Sequence, residues 1–390
     1  MRTEFNDGTL VIYLSGRIDS ANAAQYEKEI FSALEAYDAG RVEFDASMLG
    51  YISSAGLRIL MAVRKSIGDS FCIVNVSGSV YDIFETTGFT HILNVRKTLR
   101  IISVGGCKKI GSSKNAAVYR LNPETIVKVY KGDDASPERI EKSRETARQV
   151  FMHDIPTVIA FDMVRVGMDF GVVYEMLSAE PVGAMIKKDP DGINRYGSMI
   201  ASLMKKLHST EFEKGILPDA RDAYINDTAW LHDNGWYDDA EYERVNRLIE
   251  DIPYRNTFIH SYLHPGNIMV HNDELVLIDV DDAATGHPVI ELAGMYNGYH
   301  FGASDDNDDF SGLDQKELSA LWEVILSSYL ETSDPEKLAD ADRTIKAYSL
   351  LRQIRVTAAD EALSKRTRKS RVEKLKKELF DACDTLVPVP

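Results

Sequence analysis

An α/β domain followed by an α+β domain of two lobes, the second lobe largely helical, is the fold class this sequence predicts. Three observations predict it. Strand-like and helix-like segments alternate through the first hundred residues. Short β-rich runs, broken by one helical pattern, fill the stretch from about 108 to 177. Beyond about 193, apolar residues recur mainly at helical spacing. At 390 residues the chain is too long for one ordinary core, so more than one domain is expected.

Hydrophobic residues are 44% and charged residues 27% of the chain, a normal balance for a soluble globular protein. The net charge of −16 argues against a nucleic-acid partner, because phosphate binding needs a basic surface. No apolar run reaches the roughly 20 residues that cross a bilayer. The start, Met1 to Asp7, lacks the apolar stretch of a signal peptide. Cys72, Cys107 and Cys383 have no paired spacing, which supports neither a disulfide framework nor a zinc site. A cytoplasmic protein without membrane contact is expected.

In the first hundred residues, Thr9–Leu14 reads as a strand that ends at Ser15-Gly16. Ser20 can cap a helix carrying Tyr26, Ile30, Leu34 and Tyr37. Arg41–Asp45 is a second strand, and Ser53 or Ser54 opens a helix with Leu57, Leu60, Met61 and Val63. Phe71–Val76 is a third strand, followed by a helix around Val80–Thr87.

Phe44-Asp45-Ala46-Ser47 followed by Tyr51-Ile52-Ser53-Ser54-Ala55-Gly56-Leu57-Arg58-Ile59-Leu60 resembles the STAS domain, the fold of anti-sigma factor antagonists. The resemblance covers about residues 5–100. It implies a protein partner and a serine at a helix N-terminus that is open to phosphorylation, here Ser54. A phosphate there meets unpaired N–H groups and a favourable dipole. Helix capping by Ser53 and Ser54 is the alternative, since serines commonly cap helices.

Residues 101–107 form a short junction, which places domain boundaries at 1–103 and 104–390. Lys109–Leu121 and Thr125–Tyr130 read as strand, turn, strand, strand. They resemble the glycine-rich loop and strand lysine of the kinase-like fold. Gly111 and Ser113 stand in the loop, where small residues let backbone N–H groups approach phosphates; a plain hairpin is the other reading. Lys128 is placed to contact the α/β-phosphates. A helix is expected over Pro137–Met152. The resemblance implies a glutamate on it that holds the lysine, from among Glu138, Glu141 and Glu145, with Glu145 chosen. Asp154–Asp162 and Phe170–Leu177 are the remaining strands and the hinge. Backbone groups of Glu175, Met176 and Leu177 would meet an adenine edge. The two lobes are then about 104–177 and 178–390.

Tyr196, Met199, Ile200, Leu203 and Leu207 mark an amphipathic core helix ending near His208. The most informative stretch follows: His260-Ser261-Tyr262-Leu263-His264-Pro265-Gly266-Asn267. Ile278-Asp279-Val280-Asp281-Asp282 comes next, with Asp279 twelve residues past Asn267 (279 − 267). With Gly286-His287-Pro288 and Glu291-Leu292-Ala293, these segments resemble aminoglycoside phosphotransferases and choline-kinase-type enzymes. The similarity spans roughly residues 104–380. It implies ATP with magnesium as cofactors and a hydroxyl-bearing small molecule as acceptor. Asn267 and Asp279 are oxygen donors suited to magnesium, a hard cation. His260 supports the loop, and His264 is structural. Asp281 or Asp282 assists as a further acceptor or stands as a solvated loop acid.

Tyr262 occupies the place of the family's catalytic aspartate. A phenol with a reference pKa of about 10 is neutral near pH 7 and a poor base. Losing a positioned base typically costs about 10²–10⁴ in rate. Metal and nucleotide binding need not go with it, and Asp281 is another carboxylate that could serve the acceptor.

Ser304–Asp309 is an acidic loop, either solvated or an attractor of a cationic substrate. Leu318, Leu321, Val324, Ile325 and Tyr329 mark one later helix, and Ile345, Tyr348, Leu350 and Leu351 another. Lys365–Arg371 is a basic patch entering a last helix with Val372, Leu375, Leu379 and Phe380, and a frayed tail is expected from Leu386. Three readings follow. The protein is an ATP-dependent phosphotransferase coupled to its STAS module, a catalytically dead nucleotide sensor that signals through that module, or a STAS binding module beside a degenerate lobe.

Overall fold

The structure, a computed structural model, describes residues 1–113, 115–301, 312–383 and 386. The chain divides into two compact units, Met1–Ile102 and Ser103–Pro390.

The first unit carries β1 (Arg2–Asn6), β2 (Thr9–Ile18), α1 (Ala23–Ala36), β3 (Arg41–Ile52), α2 (Ser54–Ile67), β4 (Phe71–Val76), α3 (Gly78–Thr86), β5 (Asn94–Lys97) and β6 (Arg100–Ile102). Its five-stranded sheet runs β1-β2-β3-β4-β5. β1 is antiparallel to β2, and the other pairs are parallel. Leu10, Ile12 and Leu14 alternate into the core beside Val42, Phe44 and Ala46, the period-2 pattern of a strand with one buried face. Phe44 meets Phe71 edge-on at 4.7 Å. Gly56 opens α2 against Ile52 and Ile18. A Cβ there would lie 2.6 Å from Ile52 Cγ1, so only glycine permits this approach.

Two local expectations need correction. Ser20 does not cap α1; Asn22 takes that position, and its Oδ1 accepts the Asp19 N–H at 2.9 Å instead of capping the helix. Tyr37 lies one residue beyond the helix, in extended backbone. β2 and β3 also run further than their apolar cores suggested, because the continuing pairs Arg17↔Tyr51 and Ile18↔Ile52 extend the ladder.

The second unit opens with β7 (Lys108–Ser112), β8 (Ala116–Arg120), β9 (Thr125–Tyr130), α4 (Pro137–Met152), β10 (Ala160–Val166) and β11 (Asp169–Glu175). These strands form an antiparallel sheet in the order β10-β11-β9-β8-β7. α4 starts on a Ser136 cap with Pro137 at its first turn, and packs on β10 and β11. Asp154–Ile159 belongs to no strand; β10 begins at Ala160.

The larger part is helical: β12 (Glu180–Pro181), α5 (Val182–Lys188), α6 (Ile193–Ser209), α7 (Ala220–Asp233), α8 (Asp239–Glu250), β13 (Phe258–Ile259), β14 (Ile268–His271), β15 (Glu274–Leu277), β16 (Ala284–Thr285), α9 (Pro288–Phe301), α10 (Gln315–Tyr329), α11 (Pro335–Ala359) and α12 (Lys365–Cys383). α6 buries Tyr196, Ile200, Leu203 and Leu207 on one face and packs on α10. α11 packs on α7, α9 and α12. Capping boxes at Asp238/Glu241 and Asp314/Glu317 fix the starts of α8 and α10. The basic stretch Lys365–Arg371 forms the first turns of α12. Ser304–Asp309 and residues 387–390 lie outside the described residues. Among the described residues, no helix is long and apolar enough to cross a membrane.

Candidate functional site

The hairpin of β14 and β15 sets the frame. Ile268 pairs with Leu277 and His271 with Glu274, and Asn272 and Asp273 turn the chain with positive φ angles of 50° and 65°. Beyond the paired ends, the Ile278 N–H donates to the Asn267 carbonyl at 3.0 Å. Asn267 and Asp279 therefore leave the same end of one hairpin. The buried Asn267 amide donates to the Tyr262 carbonyl at 3.1 Å, and among the described residues no donor bonds its Oδ1. Asp279 sits in the left-handed region, with φ 61°.

His260 is buried and committed at both ring nitrogens. Nδ1 accepts the Tyr262 N–H at 3.3 Å, and Nε2 donates to the Ile278 carbonyl at 3.1 Å. This assigns the proton to Nε2. Burial lowers its pKa, partly opposed by the Ile278 carbonyl, so the ring is neutral. Its backbone N–H donates to Glu291 Oε2, on α9. Glu291 is fully buried. Burial pushes its carboxyl up to about 7, against the favourable N–H groups of His260 and Ser261. Its Oε1 has no hydrogen-bond partner among the described residues. Between these anchors Ser261 holds φ 71°, unusual for a residue with a Cβ. His264 Nδ1 accepts the Gly266 N–H at 3.1 Å, and burial, helped by His260, takes its pKa down to about 3.

Tyr262 is 44% exposed, and its ring meets His264 edge-on at 4.8 Å. The two histidines and Glu291 shape the backbone that presents it.

Lys128 projects from β9 opposite Val172 of β11. Its Nζ donates to Asp279 Oδ1 and, at 2.6 Å, to Asp281 Oδ2. Burial alone would lower the pKa of this ammonium, but the Asp281 and Asp279 carboxylates outweigh it and hold the pKa above the usual lysine value. Tyr130, two residues on and on the same strand face, donates to Asp281 Oδ2 at 2.9 Å. Tyr174 donates to Asp281 Oδ1 at 3.4 Å, and the two phenol oxygens are 3.4 Å apart. Burial and the Asp281 charge raise both phenol pKa values, which keeps them protonated as donors. Both Asp281 oxygens are thus engaged by β9 and β11. Asp282 is exposed.

The Lys128–Glu145 pair expected from the sequence is not formed. Glu145 accepts from Arg148 at 3.2 Å and Gln149 at 2.7 Å, partners one turn along its own helix. Glu141 is likewise taken by Arg144. The loop of Gly111 and Ser113 is a closed hairpin. The Ser113 N–H donates to the Ala116 carbonyl at 2.9 Å, and Ser113 Oγ accepts the Ala116 N–H at 3.2 Å. Gly111 pairs with Val118, where a Cβ would make only ordinary contact. At the hinge, the Glu175 N–H donates to Ile159 at 3.0 Å and the Met176 N–H to Glu124 at 2.8 Å. Among the described residues the Leu177 N–H has no acceptor.

In the first unit, Ser53 caps α2 by accepting the Gly56 N–H at 3.5 Å, while Ser54 is the first helical residue and is exposed.

Among the described residues, no three His, Cys, Asp or Glu side chains cluster as a metal site. The Asn267 amide oxygen and the Asp279 carboxylate nevertheless fit a hard divalent cation in donor chemistry. The Lys128 ammonium on Asp279 shows that a positive charge is accommodated there. Sequence reasoning missed Glu291 as the anchor of the His260 backbone, and Tyr130 and Tyr174 as partners of Asp281. The polar Glu291 beside Leu292-Ala293, at the head of an apolar helix, was the available signal for the first. Nothing local marked the two tyrosines.

Fold and site define a two-part protein, a STAS module joined to a phosphotransferase unit of kinase-like fold. The phosphotransferase enzyme family (APH) matches residues 106–324, more than half of the chain, and the chain belongs to that family. The STAS domain matches residues 1–101. A Bordetella bronchiseptica protein assigned as an anti-sigma factor antagonist, BtrV, is 36% identical over 92 residues, which are 23% of this chain and 78% of that protein. Among solved structures, the ADP-bound aminoglycoside phosphotransferase APH(2'')-Ib is 17% identical, covering 77% of this chain and 98% of its own, with a TM-score of 0.49. Choline kinase LicA of Streptococcus pneumoniae is 17% identical, covering 76% and 98%, with a TM-score of 0.43. Both families expected from the sequence, and the α/β-then-kinase-like fold class, are borne out.

Proposed function

We propose that the second unit binds ATP with magnesium and transfers the γ-phosphate, slowly, to the hydroxyl of a small molecule, under the influence of the STAS module. The observation that carries this reading is the meeting of Lys128 with Asp279 and Asp281 across 151 and 153 residues of sequence. When bound, the magnesium nucleotide supplies the transferable phosphoryl group and a cation that offsets its charge. In this reading Lys128 offers its ammonium to phosphate oxygens. Asn267 Oδ1 and the Asp279 carboxylate are the metal-facing donors. Leu177 offers the one unengaged N–H of the hinge to the adenine edge. His260 and Glu291 hold the loop of Tyr262 and Asn267 in place.

A second reading, a nucleotide sensor without transfer whose output is protein binding by the STAS module, draws on Tyr262. The phenol there is a poor base, and Asp281 has both oxygens engaged by Lys128, Tyr130 and Tyr174. The domain limits we adopt are 1–103 and 104–390, with lobes about 104–177 and 178–390. Three free cysteines support a cytoplasmic setting.

Calorimetric titration with ATP, with and without magnesium, tests nucleotide binding, and an ATP turnover assay separates transfer from sensing. Absence of nucleotide binding under any metal condition would sink both readings.

A further inference from the structure

We propose that Asp281 is the positioning residue of Lys128, with the Tyr130 and Tyr174 hydroxyls fixing its carboxylate. This rests on the nucleotide-binding reading above. The carboxylate has two oxygens, and the structure accounts for both. Oδ2 accepts from Lys128 Nζ at 2.6 Å and from the Tyr130 hydroxyl at 2.9 Å, while Oδ1 accepts from Tyr174 at 3.4 Å. Three donors from two neighbouring strands thus converge on one acid from the loop after β15. The group is largely sequestered, with 16% side-chain exposure for Asp281 and 19% for Lys128. A charge pair held in such surroundings is less screened than a surface pair.

On α4, Glu145 and Glu141 are no substitutes, because they are turned to Arg148, Gln149 and Arg144. Asp279 also meets Lys128, but it is 43% exposed and is assigned above to the metal. Once Asp279 turns to a cation, Asp281 is the anion left to hold the lysine toward the phosphates. The tyrosines then have a defined task. Their protonated hydroxyls bind the carboxylate face and leave it no freedom to swing toward an acceptor or a metal.

The test is nucleotide affinity in the full chain, measured with ATP plus magnesium and with ATP plus EDTA. Wild-type binding establishes the underlying reading, and its failure would be a failure of that reading rather than of this one. Given binding, Asp281→Asn should weaken ATP roughly tenfold or more under both metal conditions, measured well below the variant's own melting temperature so that the protein is folded. Lys128→Met should weaken it similarly, and the double variant no further than Lys128→Met alone. Tyr130→Phe and Tyr174→Phe, which keep the ring, should each give a smaller loss that vanishes in the Lys128→Met background. An Asp281→Asn effect confined to magnesium would make Asp281 a metal ligand and overturn the proposal. So would full additivity with Lys128→Met, or a larger loss from Glu145→Gln than from Asp281→Asn.

Discussion

Glu291 accepts the backbone N–H of His260 from a position with no solvent exposure. A carboxyl on α9 thereby fixes the turn that presents Tyr262, through a residue in the left-handed region, Ser261. The acid that holds this geometry is buried behind the site.

That burial makes stability depend on pH. Glu291 has a folded pKa of about 7 against an ordinary 4.5. Its raised value contributes stability that is fully present below about 4.5 and is lost as pH rises through about 7. The wild type should therefore lose on the order of 2 kcal/mol between pH 5 and pH 8 relative to Glu291→Gln, whose amide does not titrate. His208 and His264, both lowered to about 3, act in the opposite sense, losing stability as pH falls, but they are common to both proteins and cancel in the difference. Denaturant unfolding at the two pH values is the measurement, and equal pH slopes would refute the linkage.

Replacing Tyr262 by aspartate should raise ATP turnover by up to about 10²–10⁴, the usual contribution of a positioned base. Nucleotide affinity should stay within a few-fold, since the Tyr262 contact to Asn267 is made by its backbone carbonyl. Unchanged turnover in a variant that still binds ATP would count against the missing-base account.

Ser53 and Ser54 sit differently at the head of α2. Ser53 is the cap, so Ser53→Ala should cost up to about 1 kcal/mol, at the low end because its bond is 3.5 Å long. Ser54 is exposed at the first helical position, so Ser54→Ala should be nearly neutral and Ser54→Asp should gain about 0.3–1 kcal/mol from the helix dipole. If phosphate is found on this segment by mass spectrometry, it should map to Ser54. Mapping to Ser53 instead would reverse the assignment.

Close packing of α6 on α10 depends on Gly197. A Cβ there would lie 2.6 Å from Val324 Cγ1 and 2.8 Å from Val324 Cβ. Gly197→Ala should destabilise by about 1–3 kcal/mol despite the better helix propensity of alanine. Val324→Ala in the same chain should recover part of that loss. A stabilised single variant would show that the two helices can move apart at little cost.

What could be read from the sequence was what lies close together in it. Phe71–Val76 was legible as a strand because its residues are nearly all apolar and β-prone, and Pro137–Met152 as a helix because Ser136 and Pro137 announce its start. β1 was not, since Arg2 and Glu4 give it a polar face and its pairing with β2 supplies the order. In the site, Asn267 and Asp279 were legible as motif residues. The partners of Lys128 were not, because strand residue and loop acid meet only once the lobes are built. Glu145 illustrates the same limit from the other side, as its helical neighbours Arg148 and Gln149 compete successfully for its carboxylate.

The β14–β15 hairpin behaves as a pair of calipers. Its tips, Asn267 and Asp279, are gauged by the rungs between Ile268 and Leu277, while the handle at Asn272 and Asp273 lies at the far end and leaves the gap untouched. Extra residues spliced into the handle would lengthen the interval along the chain without moving the jaws. A fixed count of intervening residues is therefore an accident of handle length, and kindred chains with a longer or shorter turn would escape any search keyed to that count.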